Sequence, residues 1–270
     1  MSRIKETFNK LKNKNAKALA GFITAGDPTI EGSLAIASEM FDNGLDILEL
    51  GVPFSDPTAD GDVIQRSSAR ALMAGANLSK IIQMTAKLRE KYNQPIIIFS
   101  YLNPIYRYGY ERFIREAIEA GADGLLAVDM PIEESEDFKS IRNKHSSQED
   151  FALIKLAAPT TNEARLETIC RAGEGFIYMI NRVGITGTGG LDPESVAKHA
   201  RQIKQHTDLP VCMGFGISSP EDAEKIAFAG EGIVVGSLFE KTIEKNLDKG
   251  KEVYSKQVGE TVRAMKAPLR

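Results

Sequence analysis

The chain has 270 residues, which suits one α/β barrel of the usual size of about 250. A formal net charge of −3 offers no basic field for nucleic acid or acidic lipid, and no apolar run approaches the roughly 18 residues that a membrane span needs. Cys170 and Cys212 lack metal-ligand spacing, and His145, His199 and His206 sit in polar helix-like stretches, so the reading is a cytoplasmic protein with reduced thiols, no metal and no histidine catalyst.

Residues 1–20, MSRIKETFNKLKNKNAKALA, read as a short amphipathic helix. They lack the apolar core of a secretory signal, and Glu6 with the low Arg and Ser content argues against a transit peptide. Apolar strand-like runs then follow at 19–26, 45–52, 95–102, 123–130, 151–159, 175–183, 210–216 and 231–239. They are almost continuously apolar, as strands covered on both faces should be, and helix-like segments separate them. Two helices are expected between the second and third runs, in ARALMAGANLSKIIQMTAKLREKY. Three strands are entered through similar words, EAGADGLLAV, RAGEGFIYMI and FAGEGIVVGS, each reading as a helix end on Gly followed by a tight turn. Asp27-Pro28, Asp192-Pro193 and Ser219-Pro220 each suggest an N-cap residue ahead of a proline in the first turn. Eight strands alternating with helices predict a (β/α)8 TIM barrel with an extra N-terminal helix, a single domain over 1–270. A doubly wound open sheet is the alternative.

Barrel enzymes carry their sites at the C-terminal ends of the strands, so the residues there come next. In LELGVPFSDPTADGDVIQ (48–65), Ile47, Glu49 and Gly51 share one strand face and Leu48 and Leu50 the other. If the leucines face the helices, Glu49 points into the barrel. A carboxyl buried there, short of donors, has a raised pKa and can both give and take a proton; a structural Glu paired with a buried Arg is the competing reading. Asp56 and Asp60 lie on the following loop, where turn chemistry or helix capping would also explain them. GFGIS (214–218) and GSL (236–238) follow the last two strands, the usual place for a phosphate, where glycine N–H groups and the Ser237 hydroxyl can donate. RVGITGTGGLDPES (182–195) reads as a glycine-hinged lid after the sixth strand, or as a plain surface excursion. Around it, Tyr178 could be core packing and Arg182 an exposed charge; Thr186 alone would pass unnoticed.

Together, FITAGDP (22–28), LELGVPFSDPTADGDVIQ, NRVGITG (181–187), GFGIS and GSL resemble the signatures of the tryptophan synthase alpha subunit family, over nearly the whole chain. The resemblance implies a barrel lyase that cleaves indole-3-glycerol phosphate to indole and glyceraldehyde 3-phosphate without a cofactor. It implies a pyridoxal-phosphate beta subunit as partner, in an alpha2-beta2 heterotetramer. It also implies roles: Glu49 as acid–base, Asp60 as the carboxylate on the indole nitrogen, Tyr178 near the substrate, and Thr186 on a lid with Arg182. Gly187, Gly216, Gly236 and Ser237 would meet the phosphate, and Phe22, Phe99 and Leu126 would wall the indole pocket. Lys155 departs from the pattern, since the family usually has an uncharged residue there. Three other readings stay open: a Schiff-base aldolase using Lys155, a non-catalytic chain that only gates a partner, and a free-standing indole-releasing lyase.

Overall fold

A computed structural model describes residues 2–180, 192–214 and 216–270. Among these residues the strands are β1 (Ala18–Thr24), β2 (Ile47–Gly51), β3 (Ile96–Ser100), β4 (Gly124–Ala127), β5 (Ala152–Leu153), β6 (Lys155–Ala157), β7 (Ile177–Ile180), β8 (Val211–Gly214) and β9 (Gly232–Val235). All pair in parallel, in the order β5-β4-β3-β2-β1-β9-β8-β7-β6. The two ends of that row are one stretch of chain: only Ile154 separates β5 from β6, and its N–H donates to Leu125 O at 2.9 Å. The run 152–157 therefore pairs with β4 through its first half and with β7 through its second, which closes a barrel of eight staves. The continuous fifth strand expected over 151–159 is split because its two neighbours engage different halves of it.

Strand periodicity sorts the side chains into two cores. Ala18, Ala20, Ile47, Ile97, Leu126, Ala152, Ile154, Tyr178, Cys212 and Val234 fill the barrel interior. Leu19, Ile23, Leu48, Leu50, Ile96, Ile98, Leu125, Leu153, Ile177, Met213 and Ile233 face the helices. The helix Arg3–Asn13 adds Ile4, Phe8 and Leu11 to the interior cluster, with Phe8 6.0 Å from Phe176, so it plugs the N-terminal end of the barrel. The two helices expected after β2 are Asp62–Met73 and Leu78–Arg89.

Capping was legible in two of three cases. Asp192 accepts from Glu194 N, and Ser219 from Asp222 N, each ahead of a first-turn proline. Asp27 does not cap. The next helix, Ile30–Asp42, is capped by Thr29, and Asp27 is buried with both carboxylate oxygens accepting from Arg70 at 2.8 Å.

The strand-entry words have a structural role. Asp123, Glu174 and Glu231 stand just before β4, β7 and β9, and Asp46 stands just before β2. Each accepts a backbone N–H from the preceding stave: Asp46 from Leu19 (2.8 Å), Asp123 from Ile96 (2.8 Å), Glu174 from Leu153 (2.6 Å) and Glu231 from Val211 (2.8 Å). Every even-numbered stave thus clamps its odd-numbered predecessor at the bottom of the barrel, leaving the top to the loops.

Candidate active site

Glu49 sits in the middle of β2 with its side chain inward, as the alternation with Leu48 and Leu50 requires. It is fully buried, and neither carboxylate oxygen has a hydrogen-bond partner among the described residues. Burial with no compensating donor pushes its carboxyl from 4.5 up to about 8. The expected alternative, a buried Arg partner, is not found among the described residues. Tyr178 on β7 is also buried, and burial, followed by the charge of Glu49, raises its hydroxyl well above the ordinary value.

Aromatic rings flank this carboxyl. Phe22 on β1 and Phe99 on β3 are half-buried and pack edge to face at 5.1 Å, and Phe99 lies 6.4 Å from Tyr178. Leu126 on β4 is fully buried in the interior cluster. Gly51, on the inward face of β2, leaves room for Phe22: a Cβ there would lie 2.4 Å from the ring.

Asp60 is half-buried on the loop after β2, whereas Asp56 is exposed and accepts from Ser55 Oγ at 2.5 Å. The capping explanation of Asp60 fails, because Gly61 is the N-cap of helix Asp62–Met73 and no side chain caps it. Burial raises the Asp60 carboxyl above its ordinary value, and a hydrogen bond with Tyr101 opposes the rise. Tyr101 follows β3 directly, receives the Ala59 N–H at 2.9 Å, and packs on Phe54 at 5.2 Å. It is the residue that sequence reasoning missed: FSYLNP places it at a strand end, but nothing local links it to a loop some forty residues earlier. Asp60 and Tyr101 line a narrow cleft of about 10 Å³ with Phe22, Gly51, Phe99 and Ser100. A larger cleft of about 640 Å³ lies at the opposite end of the barrel, against helix Arg3–Asn13, away from these groups.

Of the expected phosphate residues, Gly216 follows β8, and Gly236 and Ser237 follow the neighbouring β9. Gly216 has φ +85°, a conformation that side chains disfavour. Gly236 is the N-cap of helix Ser237–Glu244, so no side chain caps that helix. Thr29, Asn77, Asn162 and Ser219 do cap theirs. Exposed Ser237 opens the first turn. Uncapped N–H groups at a helix N-terminus suit an anion. Arg182, Thr186 and Gly187 lie outside the described residues.

Lys155 does not point into the barrel. It lies between the inward Ile154 and Leu156 and is in register with Ile177, which faces the helices. Burial lowers its ammonium to about 8, and its charged neighbours are Lys139, Glu174, Glu136 and Arg165, on the outer side. The Schiff-base reading is corrected by this orientation, since an amine in the helix layer cannot meet a substrate at the mouth of the barrel.

Residues 8–270 match the family model for the tryptophan synthase alpha chain. The chain is 53% identical over 249 residues to the tryptophan synthase alpha chain of Desulfosudis oleivorans, covering 92% of each. The chain belongs to the tryptophan synthase alpha chain family. Among solved structures, tryptophan synthase subunit alpha of Legionella pneumophila superposes with a TM-score of 0.90 at 34% identity, over 100% of this chain and 98% of that one. Tryptophan synthase from M. tuberculosis, in an aminoacrylate-bound form, gives 0.87 at 26% identity over 100% of each chain. As a member of the alpha chain family, the chain is a lyase of tryptophan biosynthesis that cleaves indole-3-glycerol phosphate to indole and glyceraldehyde 3-phosphate.

Proposed function

We propose that Glu49 and Asp60 divide the proton transfers of this cleavage between them. The single observation that carries the proposal is Glu49: a carboxyl buried in the barrel without a hydrogen-bond partner among the described residues, its pKa raised to about 8. In the first step Glu49 gives its proton to indole C3, while Asp60 takes the proton from the ring nitrogen, leaving a C3-protonated ring with an N=C2 double bond. Glu49, now a carboxylate, then removes the proton of the hydroxyl adjacent to C3. The C3–carbon bond breaks, its electron pair returns to the ring, and the carbon that bore the hydroxyl leaves as the aldehyde of glyceraldehyde 3-phosphate. Asp60 returns its proton to nitrogen. Both carboxyls end as they began, so the reaction balances with no redox change and no cofactor. Fully buried Glu49 and half-buried, Tyr101-linked Asp60 occupy different environments, as groups with different proton duties should.

In this reading Phe22, Phe99 and Leu126 hold the indole ring and Tyr178 lies beside the reacting carbon. Gly216, Gly236 and Ser237 bind the phosphate, with Gly187, and Thr186 and Arg182 belong to a lid. The ring pocket has a direct test. Gly51→Ala places a methyl group against the Phe22 ring, and overpacking of this kind costs ~1–3 kcal/mol. KM for indole-3-glycerol phosphate is expected to rise at least roughly fivefold, with a smaller change in kcat. Unchanged steady-state constants would take Phe22 out of the pocket.

The partner we propose is a pyridoxal-phosphate beta subunit that receives the indole, in an alpha2-beta2 assembly in the cytoplasm. No helix among the described residues is long and apolar enough to cross a membrane, and Cys170 and Cys212 are free thiols. A beta subunit docked at the loop end would close the 182–195 segment and order the two carboxylates. Adding it is expected to speed cleavage at least roughly tenfold, about 1.4 kcal/mol of barrier. Titrating a beta subunit into the assay with serine present, while following free indole, tests this. An unchanged rate with accumulating indole would make the chain a free-standing lyase.

A further inference from the structure

Behind the glycine that opens helix Ser237–Glu244 lies a second buried carboxyl with no place in the cleavage chemistry. Glu240 is fully buried on that helix. Its Oε1 accepts the N–H of Thr24, the last residue of β1, at 2.5 Å, and its Oε2 has no hydrogen-bond partner among the described residues. The neighbouring charge is Asp27, also buried, in the turn after β1. Asp27 is already satisfied: Arg70, on helix Asp62–Met73, gives it two hydrogen bonds of 2.8 Å. The same guanidinium donates to Glu244 at 2.9 Å, and Glu244 also takes two bonds from Arg66. Thr24 is tied to that helix by a 2.7 Å contact between its hydroxyl and that of Ser67. On the remaining side, helix Lys251–Lys266 brings the Tyr254 hydroxyl, which feels Asp27 and Glu252. Both cations of the network are therefore committed to Asp27 and Glu244, and none is left for Glu240. Its own helix adds only Lys241 beyond Glu244.

We propose that Glu240 is a positioning residue for the phosphate, clamping the helix Ser237–Glu244 to the end of β1 only while its carboxyl holds a proton. With Oε1 occupied by the Thr24 N–H, the proton resides on Oε2, toward Asp27. Loss of that proton sets two buried carboxylates against each other and pushes the helix away from β1. Gly236 and Ser237 move with it. The inference rests on the reading that those two residues meet the phosphate. Burial, and then the Asp27 charge, hold the Glu240 carboxyl well above the usual carboxylate range, so the release is sought on the alkaline side of neutrality.

Calorimetric binding of glycerol 3-phosphate from pH 7 to 9.5 tests the clamp. The second ionisation of a phosphate monoester lies near ~6, so the ligand stays a dianion throughout. Wild-type affinity is expected to fall at least roughly fivefold across the range, while E240Q, which stays neutral, changes by less than about twofold. E240M, which keeps the volume and loses both the charge and the Thr24 bond, is expected to bind more weakly but equally flatly. A pH profile in E240Q that matches the wild type, or a flat wild-type profile, overturns the inference; if E240Q does not fold, a sloping profile in E240M does the same. G236D separates the two readings: an N-cap Asp favours the helix but puts a carboxylate where the dianion should sit. If G236D binds as well as wild type, the phosphate is elsewhere and the site reading fails, whatever Glu240 does.

Discussion

Glu49→Gln is expected to slow cleavage of indole-3-glycerol phosphate by at least roughly a hundredfold and, in the same protein, to raise the stability of the fold. The first effect follows from removing the group proposed both to give C3 its proton and to take one from the hydroxyl. The second follows from linkage. In the unfolded chain Glu49 releases its proton near 4.5, and in the folded chain it keeps it to about 8. Between those values the folded state binds more protons, so wild-type stability falls as pH rises, by ~1.4 kcal/mol per unit from this residue. Glutamine has no proton to lose. The variant should match the wild type at pH 4 and become progressively more stable than it up to pH 8, by a few kcal/mol on the order that linkage gives; above pH 8 the gap is constant. Urea denaturation at pH 5, 6.5 and 8, alongside steady-state rates, measures both. A variant that turns over near normally removes Glu49 from the chemistry, and a stability gap that ignores pH removes its raised carboxyl. Glu240 has the same sign, but it is present in both proteins and cancels in the difference.

That a site carboxyl weakens the fold it sits in explains why it was visible in the sequence at all. A charged residue between Leu48 and Leu50, in a strand covered on both faces, breaks the local pattern, and only function or a buried partner would explain it. The strands, and two of the three helix starts read from capping, were legible for a related reason: periodicity and capping are local. Where two local signals compete, the reading failed. Asp27 precedes a proline and looks like a cap, but Thr29 follows, and the preference went to Thr29 once Arg70 claimed Asp27. Lys155 gave no directional signal because both faces of its strand are apolar, and only its register with Ile177 fixes it outward. Tyr101 with Asp60, and Glu240 with Asp27, are pairs separated by whole elements; their residues are ordinary in sequence, and only the closure of the barrel makes them neighbours. The repeated entry words stand between these cases. Their likeness was readable, but the partner of each carboxylate is an N–H one stave back, which no single word contains.

Those entry carboxylates carry the other large effect, and burial decides which of them matters. Lys204 meets Glu231 at 3.3 Å, but the two side chains are 35% and 41% exposed, so water screens the pair and its loss should cost no more than ~1 kcal/mol. Arg142 and Glu174 are 2% and 8% exposed, joined by two bonds of 2.7 and 2.9 Å. Arg142 also donates to Phe151 O at 2.6 Å, and Glu174 accepts the N–H of Leu153, so the pair anchors the start of the split fifth stave, the place where the barrel closes. Arg142→Met keeps much of the volume and leaves the buried Glu174 without its guanidinium partner. The expected loss is ~3–5 kcal/mol, a large share of the 5–15 kcal/mol that holds a typical domain together. Adding Glu174→Gln should recover part of it, because the stranded carboxyl is then gone, whereas Lys204→Met alone should change little. Cleavage per folded molecule should be nearly unaffected in all three, since the clamps sit at the end of the barrel opposite Glu49 and Asp60. Urea melts at pH 7 of the single and double variants measure this, and a loss below about 1 kcal/mol in Arg142→Met would mean that the fifth stave closes the barrel by its β4 and β7 ladders without the clamp.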